Sequence, residues 1–220
     1  MENIDPKYWG PYGWKFLHTL TLYYPDIPSN DDKKNIVNFL HTLSYVLPCE
    51  TCRHEFKKLL KKYPPEEYNT NKTILIRWLY NIHNKVNKRL EHKPYVFISN
   101  EKLQHDLRID INKPETWGSV LWKLMHMITL TYKKNPRLKD KQRMQAFFYS
   151  LLNIIPNKVY KEEFEKQLIL TPLDDNILVC RCNLIKWLVN IHNQVNKKLG
   201  KPLYNYNNPD DFLNYLIKKS

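Results

Sequence analysis

No apolar run in this 220-residue chain approaches the ~18 residues that a membrane span requires. No apolar h-region precedes the first charged residues, so a secretory signal is not expected either, and the cytoplasm is the expected compartment. Nor does any stretch of useful length alternate apolar and polar residues, which argues against a sheet. Glycine is scarce, at 4 residues, while Lys, Asn, Ile and Tyr are plentiful, a bias of the kind AT-rich coding produces. Cysteine is limited to 4 residues, and only Cys49 and Cys52 stand at Cys-x-x-Cys spacing. Acidic residues are outnumbered, 22 against 35 Lys and Arg, leaving a net charge of +13. Such a charge raises a nucleic-acid or membrane-surface partner. The lysines recur throughout, however, on polar faces such as Lys57, Lys58, Lys61 and Lys62, without one concentrated stripe. They are read as solvated surface, with neither nucleic acid nor membrane as a partner.

What is present is helical periodicity. Trp14, Leu17, His18 and Thr21 share one face of a first helix from Tyr8 to Tyr24, which Pro25 and Pro28 end. Ser29 to Asp32 caps a second helix that runs to Leu47, with Ile36, Phe39, Leu40 and Leu43 inward. Pro48 opens a third that carries the dithiol to Tyr63, and Pro64 and Pro65 stop it. A fourth spans Asn71 to Leu90, with Trp78, Leu79, Ile82 and Val86 in its apolar stripe. Ser99 caps a short fifth through Leu103 and Leu107. The fold class is all-α, four helices plus a short fifth.

The pattern then begins again. Trp117, Gly118, Trp122, His126, Thr129 and Tyr132 restate Trp9, Gly10, Trp14, His18, Thr21 and Tyr24 at an offset of 108. Trp187 to Leu199 restates Trp78 to Leu90 at an offset of 109. Two motifs repeated in order at nearly one offset indicate duplication, so the chain is two tandem bundles, residues 1–110 and 111–220, joined near Asp110 to Pro114. The copies differ at the dithiol: Cys49 corresponds to Asn157 and Cys52 to Tyr160.

Two thiols at this spacing can close a redox-active disulfide, supply half of a zinc site, or lie inert. Zinc needs four ligands, and the remaining cysteines, Cys180-Arg181-Cys182, are too closely spaced for a usual knuckle. No metal is expected. A thiol at a helix start, with Arg53 and His54 alongside, is placed for thiolate stabilisation. Without the strands of a thioredoxin-like fold, a catalytic dithiol needs an internal electron sink. On the fourth helix His83 and Asn87 share a face and Asn84 flanks it, suiting a flat heteroaromatic ligand, with Trp14 and His18 as a facing wall. The same residues also suit polar bridges within an ordinary helical core, and the residues alone leave both open.

Trp9-Gly10-Pro11-x-x-Trp14-x-x-Leu17-His18, Pro48-Cys49-x-x-Cys52-x-x-x-Phe56 and His83-Asn84-x-Val86-Asn87-x-x-Leu90 resemble, in order and spacing, the Erv/ALR family of FAD-dependent sulfhydryl oxidases. The likeness covers about residues 6–108 and is nearest in style to the short viral members. It implies that Cys49 exchanges with an incoming protein dithiol, or with a thioredoxin-like carrier. It further implies that Cys52 lies against FAD, and that O2 takes the electrons as hydrogen peroxide. It also implies a cofactor site of Trp9, Gly10, Trp14, His18, His83, Asn84, Val86, Asn87, Lys88, Leu90 and Tyr95. Three departures are Pro11 in place of a frequent Arg, Leu47 in place of an aromatic before the Pro-Cys, and the loss of a cysteine pair that staples the segment after the fourth helix. That segment is therefore expected to be held by packing alone.

The second copy resembles the same family as a degenerate domain. By analogy with quiescin sulfhydryl oxidases it is expected to pack on the first as an internal pseudo-dimer, in place of a homodimer partner. It keeps Trp122, His126, His192, Asn193 and Asn196, so the sequence leaves a second flavin open. Cys180 and Cys182 are either a shuttle dithiol or two ordinary thiols at a helix start. If the chain is viral, the host cytoplasm or the virion is its location. The rival reading is a basic all-α module that binds nucleic acid or protein without catalysis.

Overall fold

A computed structural model describes every residue except Met1, Glu2, Ile111, Asn112, Pro114, Asn207, Lys219 and Ser220. The described residues form ten α-helices and a 3-10 turn at Pro65–Glu67, with no strand. The first repeat holds α1 (Pro6–Tyr23), α2 (Asn30–Val46), α3 (Glu50–Lys62), α4 (Lys72–Arg89) and α5 (Asn100–Leu107). The second holds α6 (Glu115–Leu130), α7 (Leu138–Leu152), α8 (Lys158–Leu170), α9 (Arg181–Lys198) and α10 (Pro209–Lys218). Most of the expected junction between repeats lies outside the described residues; at its flanks the Thr116 hydroxyl donates to the Asp110 carbonyl, 3.0 Å.

Local chemistry sets the starts. Ser29 and Asp32 form a reciprocal capping box, which satisfies two donors that a helix start otherwise leaves unpaired. Asn71 and Ser99 cap α4 and α5 by single bonds, their side chains accepting the backbone N–H of Ile74 and Lys102. Pro11 lies inside α1 and removes the bond to the Lys7 carbonyl, but both residues are exposed, so water can take that carbonyl. After α9 the chain turns through Gly200 at φ 64°, while the corresponding turn after α4 uses Glu91 at φ 56°. A non-glycine residue in that left-handed region costs roughly 1–2 kcal/mol, so the first repeat closes its fourth helix under more strain.

The repeats pack α1 on α6 and α2 on α7, each helix against its own counterpart. Residues related by the offset of 108 meet at the seam: the Phe39 and Phe147 rings lie 6.1 Å apart, and the Thr42 and Ser150 hydroxyls are 2.7 Å apart. A self-matching contact of this kind is the mark of a two-fold interface, here formed within one chain. Across it the Trp117 indole N–H donates to the Tyr23 hydroxyl, 3.3 Å, and Lys123 donates to the Tyr12 hydroxyl, 3.2 Å. One continuous hydrophobic core runs through both repeats, with Phe16, Phe39, Phe147 and Phe148 among its fully buried side chains. Each such ring contributes about 1.5–3 kcal/mol of burial free energy, so much of the stability of either repeat depends on the other.

Candidate functional site

The dithiol sits at the start of α3. Cys49 and Cys52 are joined as a disulfide with their Cα atoms 5.1 Å apart, and both are half-buried. Cys49 is the N-cap of α3, its Sγ accepting the Cys52 backbone N–H at 3.2 Å. A reduced Cys49 would therefore carry its thiolate at the positive end of a helix, where the negative charge is favoured.

The turn is held from both sides. The Ile4 N–H donates to the Pro48 carbonyl, 2.8 Å, and the Glu50 N–H donates to the Asn3 side chain, 2.7 Å. The Trp9 indole donates to the Ile4 carbonyl, 3.1 Å, so α1 is tied to the dithiol turn through Ile4. Arg53 donates to the Leu47 carbonyl, 2.6 Å, from inside the helix. Nothing in the sequence pattern marks Asn3 or Ile4 for this role, because the bonds use a backbone and a short amide rather than a motif.

The aromatic and amide residues gather between α1 and α4. The Trp14 ring lies face to face with the His83 ring, 3.9 Å between centroids and 10° between planes. Tyr95 stacks near the other side of His83, 5.9 Å away. His18 Nε2 meets His83 Nδ1 at 3.1 Å, so one imidazole donates and the other accepts. The accepting ring must be neutral. Burial, and secondarily His83, holds the His18 pKa down to about 3, and burial holds His83 down to about 4. His18 Nδ1 is buried with no hydrogen-bond partner, an orphan that a ligand could satisfy. Tyr80, 5.0 Å from His18, completes the wall; its position three residues before His83 on the same helix was the available signal for it.

Asn84 serves the chain. Its amide donates to the Tyr95 carbonyl and accepts the Tyr95 N–H, both at 2.7 Å, clamping the segment after α4 onto the helix. The segment is thus held by a two-bond amide clamp, where packing alone was expected. Asn87 is buried, Val86 is half-buried, and Lys88 and Leu90 lie exposed at the end of α4. Trp9 is turned into the core beside Ile4, on the dithiol side, and Gly10 borders open space. The structure therefore brings Trp14, His18, His83 and Tyr95 together as one ring cluster and leaves Trp9 with the dithiol turn.

The relation of α3 to α4 completes the geometry. The Trp78 indole donates to the Tyr63 carbonyl, 3.0 Å, and Lys85 lies 4.6 Å over the Tyr63 ring, so the two helices are tied at the far end of α3. Taken over its length, α3 packs on α2 and makes little contact with α4. Cys180 and Cys182 lie elsewhere, as free thiols at the start of α9. Cys180 is its N-cap, with Sγ accepting the Asn183 N–H at 3.4 Å, and Cys182 is exposed. Among the described residues no helix is long and apolar enough to cross a membrane.

Comparison with known proteins follows the repeat. The sequence model of the Erv1/Alr family matches residues 11–106 and again 119–214. The chain is 40% identical over 85 residues to "Probable FAD-linked sulfhydryl oxidase R368" of Acanthamoeba polyphaga mimivirus, a stretch covering 38% of this chain and 59% of that protein. It is 34% identical over 86 residues to "FAD-linked sulfhydryl oxidase ERV2" of Saccharomyces cerevisiae, covering 39% and 43%. To the "FAD-linked sulfhydryl oxidase" of African swine fever virus it is 33% identical over 86 residues, covering 39% and 71%. The chain spans about half the length of the curated relatives it matches first. The yeast Erv1 core crystal structure is similar at 26% identity and a TM-score of 0.42, covering 48% of this chain and 86% of that one.

Proposed function

The chain belongs to the Erv1/Alr family through both of its repeats, and from that premise we propose that it is an FAD-linked thiol oxidase that forms disulfide bonds in proteins. The observation that carries the reading is the Cys49–Cys52 disulfide at the N-terminus of α3, which the second repeat lacks; the unpartnered buried Nδ1 of His18 is matched there by that of His126. The residues fit a flat heteroaromatic cofactor. Trp14, His83 and Tyr95 keep partly exposed rings, and α3 makes little contact with α4. In this reading Trp14, His18, His83, Val86, Asn87 and Leu90 hold the cofactor, Lys88 meets its charged end, and Asn84 positions Tyr95. Trp9 supports the dithiol turn beside it through Ile4.

The chain's own residues perform the thiol chemistry. A substrate thiolate attacks Cys49 Sγ; a substrate–Cys49 bond forms and the Cys49–Cys52 bond breaks, leaving Cys52 as the thiolate. The second substrate thiolate then attacks the substrate sulfur of that mixed disulfide and expels Cys49. The expelled thiolate is stabilised because its Sγ caps α3. The substrate loses two electrons and two protons, and the cysteine pair gains two electrons. FAD, when bound, takes those electrons and passes them to O2, giving hydrogen peroxide. The partners are substrate dithiols or a thioredoxin-like carrier, and the second repeat supplies the surface a homodimer partner would otherwise provide.

The spectrum of the purified protein tests this. It should be yellow, with flavin absorbance near ~450 nm, and should bleach when a dithiol is added without oxygen. Cys52→Ser should keep its flavin and fail to bleach. A colourless protein that consumes no oxygen with a dithiol overturns the reading.

A further inference from the structure

A groove of about 250 Å³ opens between the repeats beside the disulfide. Its near wall is Glu50, Arg53, His54 and Lys57 of α3 with Tyr45 of α2; its far wall comes from the second repeat and includes Lys133, Asp140 and Arg143. Neither cysteine lines it, but Glu50 and Arg53 each follow one of them in the chain, so the groove opens from the same turn of α3. Tyr45 is 40% exposed and is held between two cations, Lys57 Nζ at 4.3 Å and the Arg143 guanidinium at 4.4 Å, one from each repeat. Lys57 has its pKa lowered by burial and then by Arg143, Arg53 and Lys139, a crowding of like charge that an anion would relieve. Lys133 is paired with Asp140 at 3.1 Å, and Glu50 is the other acid in the lining, so positive charge remains in excess.

The internal duplication supplies a control. Moved by the offset of 108, Arg53, His54 and Lys57 become Lys161, Glu162 and Glu165, and Lys133 and Arg143 become Pro25 and Asn35. The positions equivalent to this groove on the other side of the pseudo-two-fold therefore carry mixed charge, and their α8 start has no dithiol. The basic excess is confined to the side with the disulfide. A uniform lysine-rich surface would have given both sides the same character.

We propose that this inter-repeat groove docks an acidic segment of the substrate protein next to its dithiol, with the second repeat supplying half of the docking surface. The inference rests on the thiol-oxidase reading and adds to it the class of substrate. Carboxylates reaching into the groove would meet Lys57, Arg143 and the exposed His54, and an aromatic or aliphatic side chain would meet Tyr45. Attraction of this kind acts on association and on KM, and weakens as salt screens it.

The experiment compares two dithiol peptides, one flanked by Asp and Glu and one by Lys, against dithiothreitol, using the full flavin-loaded chain. The wild type should oxidise the acidic peptide with a KM about tenfold below that of the basic one at ~0.05 M salt, the gap closing by ~0.5 M. Lys133→Glu with Arg143→Glu, both in the second repeat, should erase the gap and leave dithiothreitol oxidation unchanged; Arg143→Gln replaces the pair if thermal unfolding shows that the double variant is destabilised. Equal KM values for the two peptides in the wild type overturn the proposal, as does a variant that slows all three substrates alike. Fluorescence anisotropy with an acidic peptide carrying serines in place of cysteines separates docking from turnover. If that peptide binds wild type and not the variant while no dithiol is oxidised, the oxidase reading falls and the groove stands. A peptide that does not bind overturns the groove whatever the turnover. A single-stranded oligonucleotide that displaces the peptide at lower concentration replaces the acidic protein with nucleic acid.

Discussion

The two repeats share a scaffold and differ in how open it is. In the second, the Trp122 and His192 rings stack at 4.0 Å and His126 meets His192 at 2.9 Å, much as Trp14, His83 and His18 do in the first. The second cluster is the more closed, His192 being buried where His83 is half-buried. Phe212 stands edge-on to His126 at 5.0 Å, and Phe164 of α8 touches Trp122 at 6.2 Å. Lys198 of α9 grips Glu163 of α8 at 2.5 Å, with Gln167 backing the carboxylate at 3.0 Å. Accordingly α8 lies against α9, whereas α3 makes little contact with α4. The first repeat has Leu103 where the second has Phe212, and Glu55 there pairs with Lys58 along its own helix. The bulk is compensated: Tyr80 fills beside His18 in the first repeat, and the smaller Val189 of the second makes room for Phe212. Losing the dithiol thus coincides with closing the space beside it, and the second repeat is left to buttress the shared core and one wall of the basic groove.

The largest effect that could break this comparison is restoration of the dithiol. Asn157→Cys with Tyr160→Cys, in a chain whose own pair is changed to serine, should recover no dithiol oxidation, because the Glu163–Lys198 bridge holds α8 against α9. Released flavin, quantified after denaturation, should come to one per wild-type chain. Substitution His83→Ala should remove it and His192→Ala should leave it in place. Two flavins per chain, or oxidation by the transplanted pair, would show that the closure is not a barrier.

Much of this was legible beforehand. The starts of α2, α4 and α5 follow Ser29, Asn71 and Ser99, whose capping chemistry is local, and the duplication follows spaced motifs; α3, expected to open at Pro48, begins instead after Cys49 as its cap. The dithiol and the ring residues were found for the same reason. What could not be read were contacts that join distant segments through ordinary residues. The tie of Asn3 and Ile4 to the dithiol turn, the Glu163–Lys198 bridge and the pairing of Tyr45 with Arg143 have no spacing to announce them. The lysines looked evenly spread along the chain, and only the fold gathers Lys57, Lys133 and Arg143 at one groove. Asn84 and Asn193 were read for a ligand, while their amides close loops, because an amide suits either partner equally well.

Acid should expose a property the repeats hold in common. His18 and His192 are held down to about 3 and His83 to about 4, and His126 is well below its ordinary value, burial being the first cause in each. In the unfolded chain these groups bind protons near pH 6.5, whereas the folded chain leaves them neutral. Stability is therefore full above pH 6.5 and falls as the pH drops toward 3 to 4, by about 1.4 kcal/mol per pH unit for each imidazole kept neutral. Denaturant unfolding between pH 6.5 and about 5, above the carboxylate range, isolates the effect. His83→Gln and His192→Gln should each reduce the slope, and by similar amounts. A slope carried by His192 alone would mean that the first cluster takes up protons in the folded state, and that the openness of its repeat extends to water.

The smallest and most discriminating difference lies in the amide clamps. Asn84 holds Tyr95 by two bonds of 2.7 Å, and Asn193 holds Tyr204 by bonds of 2.9 and 2.7 Å. Removing either amide leaves two backbone groups to find new partners, at a cost of about 1–3 kcal/mol, so Asn84→Ala and Asn193→Ala should lower the unfolding midpoint alike. Their effects on flavin should part. Tyr95 stacks beside His83 in the open repeat, so freeing it should loosen the cofactor; Tyr204 lies 4.3 Å from His192 in the more closed one and should leave the cofactor unchanged. Flavin retained on a desalting column reads this directly. If both variants lose flavin together, the second repeat acts on the site through the shared core, and the division of labour drawn from their geometry is wrong.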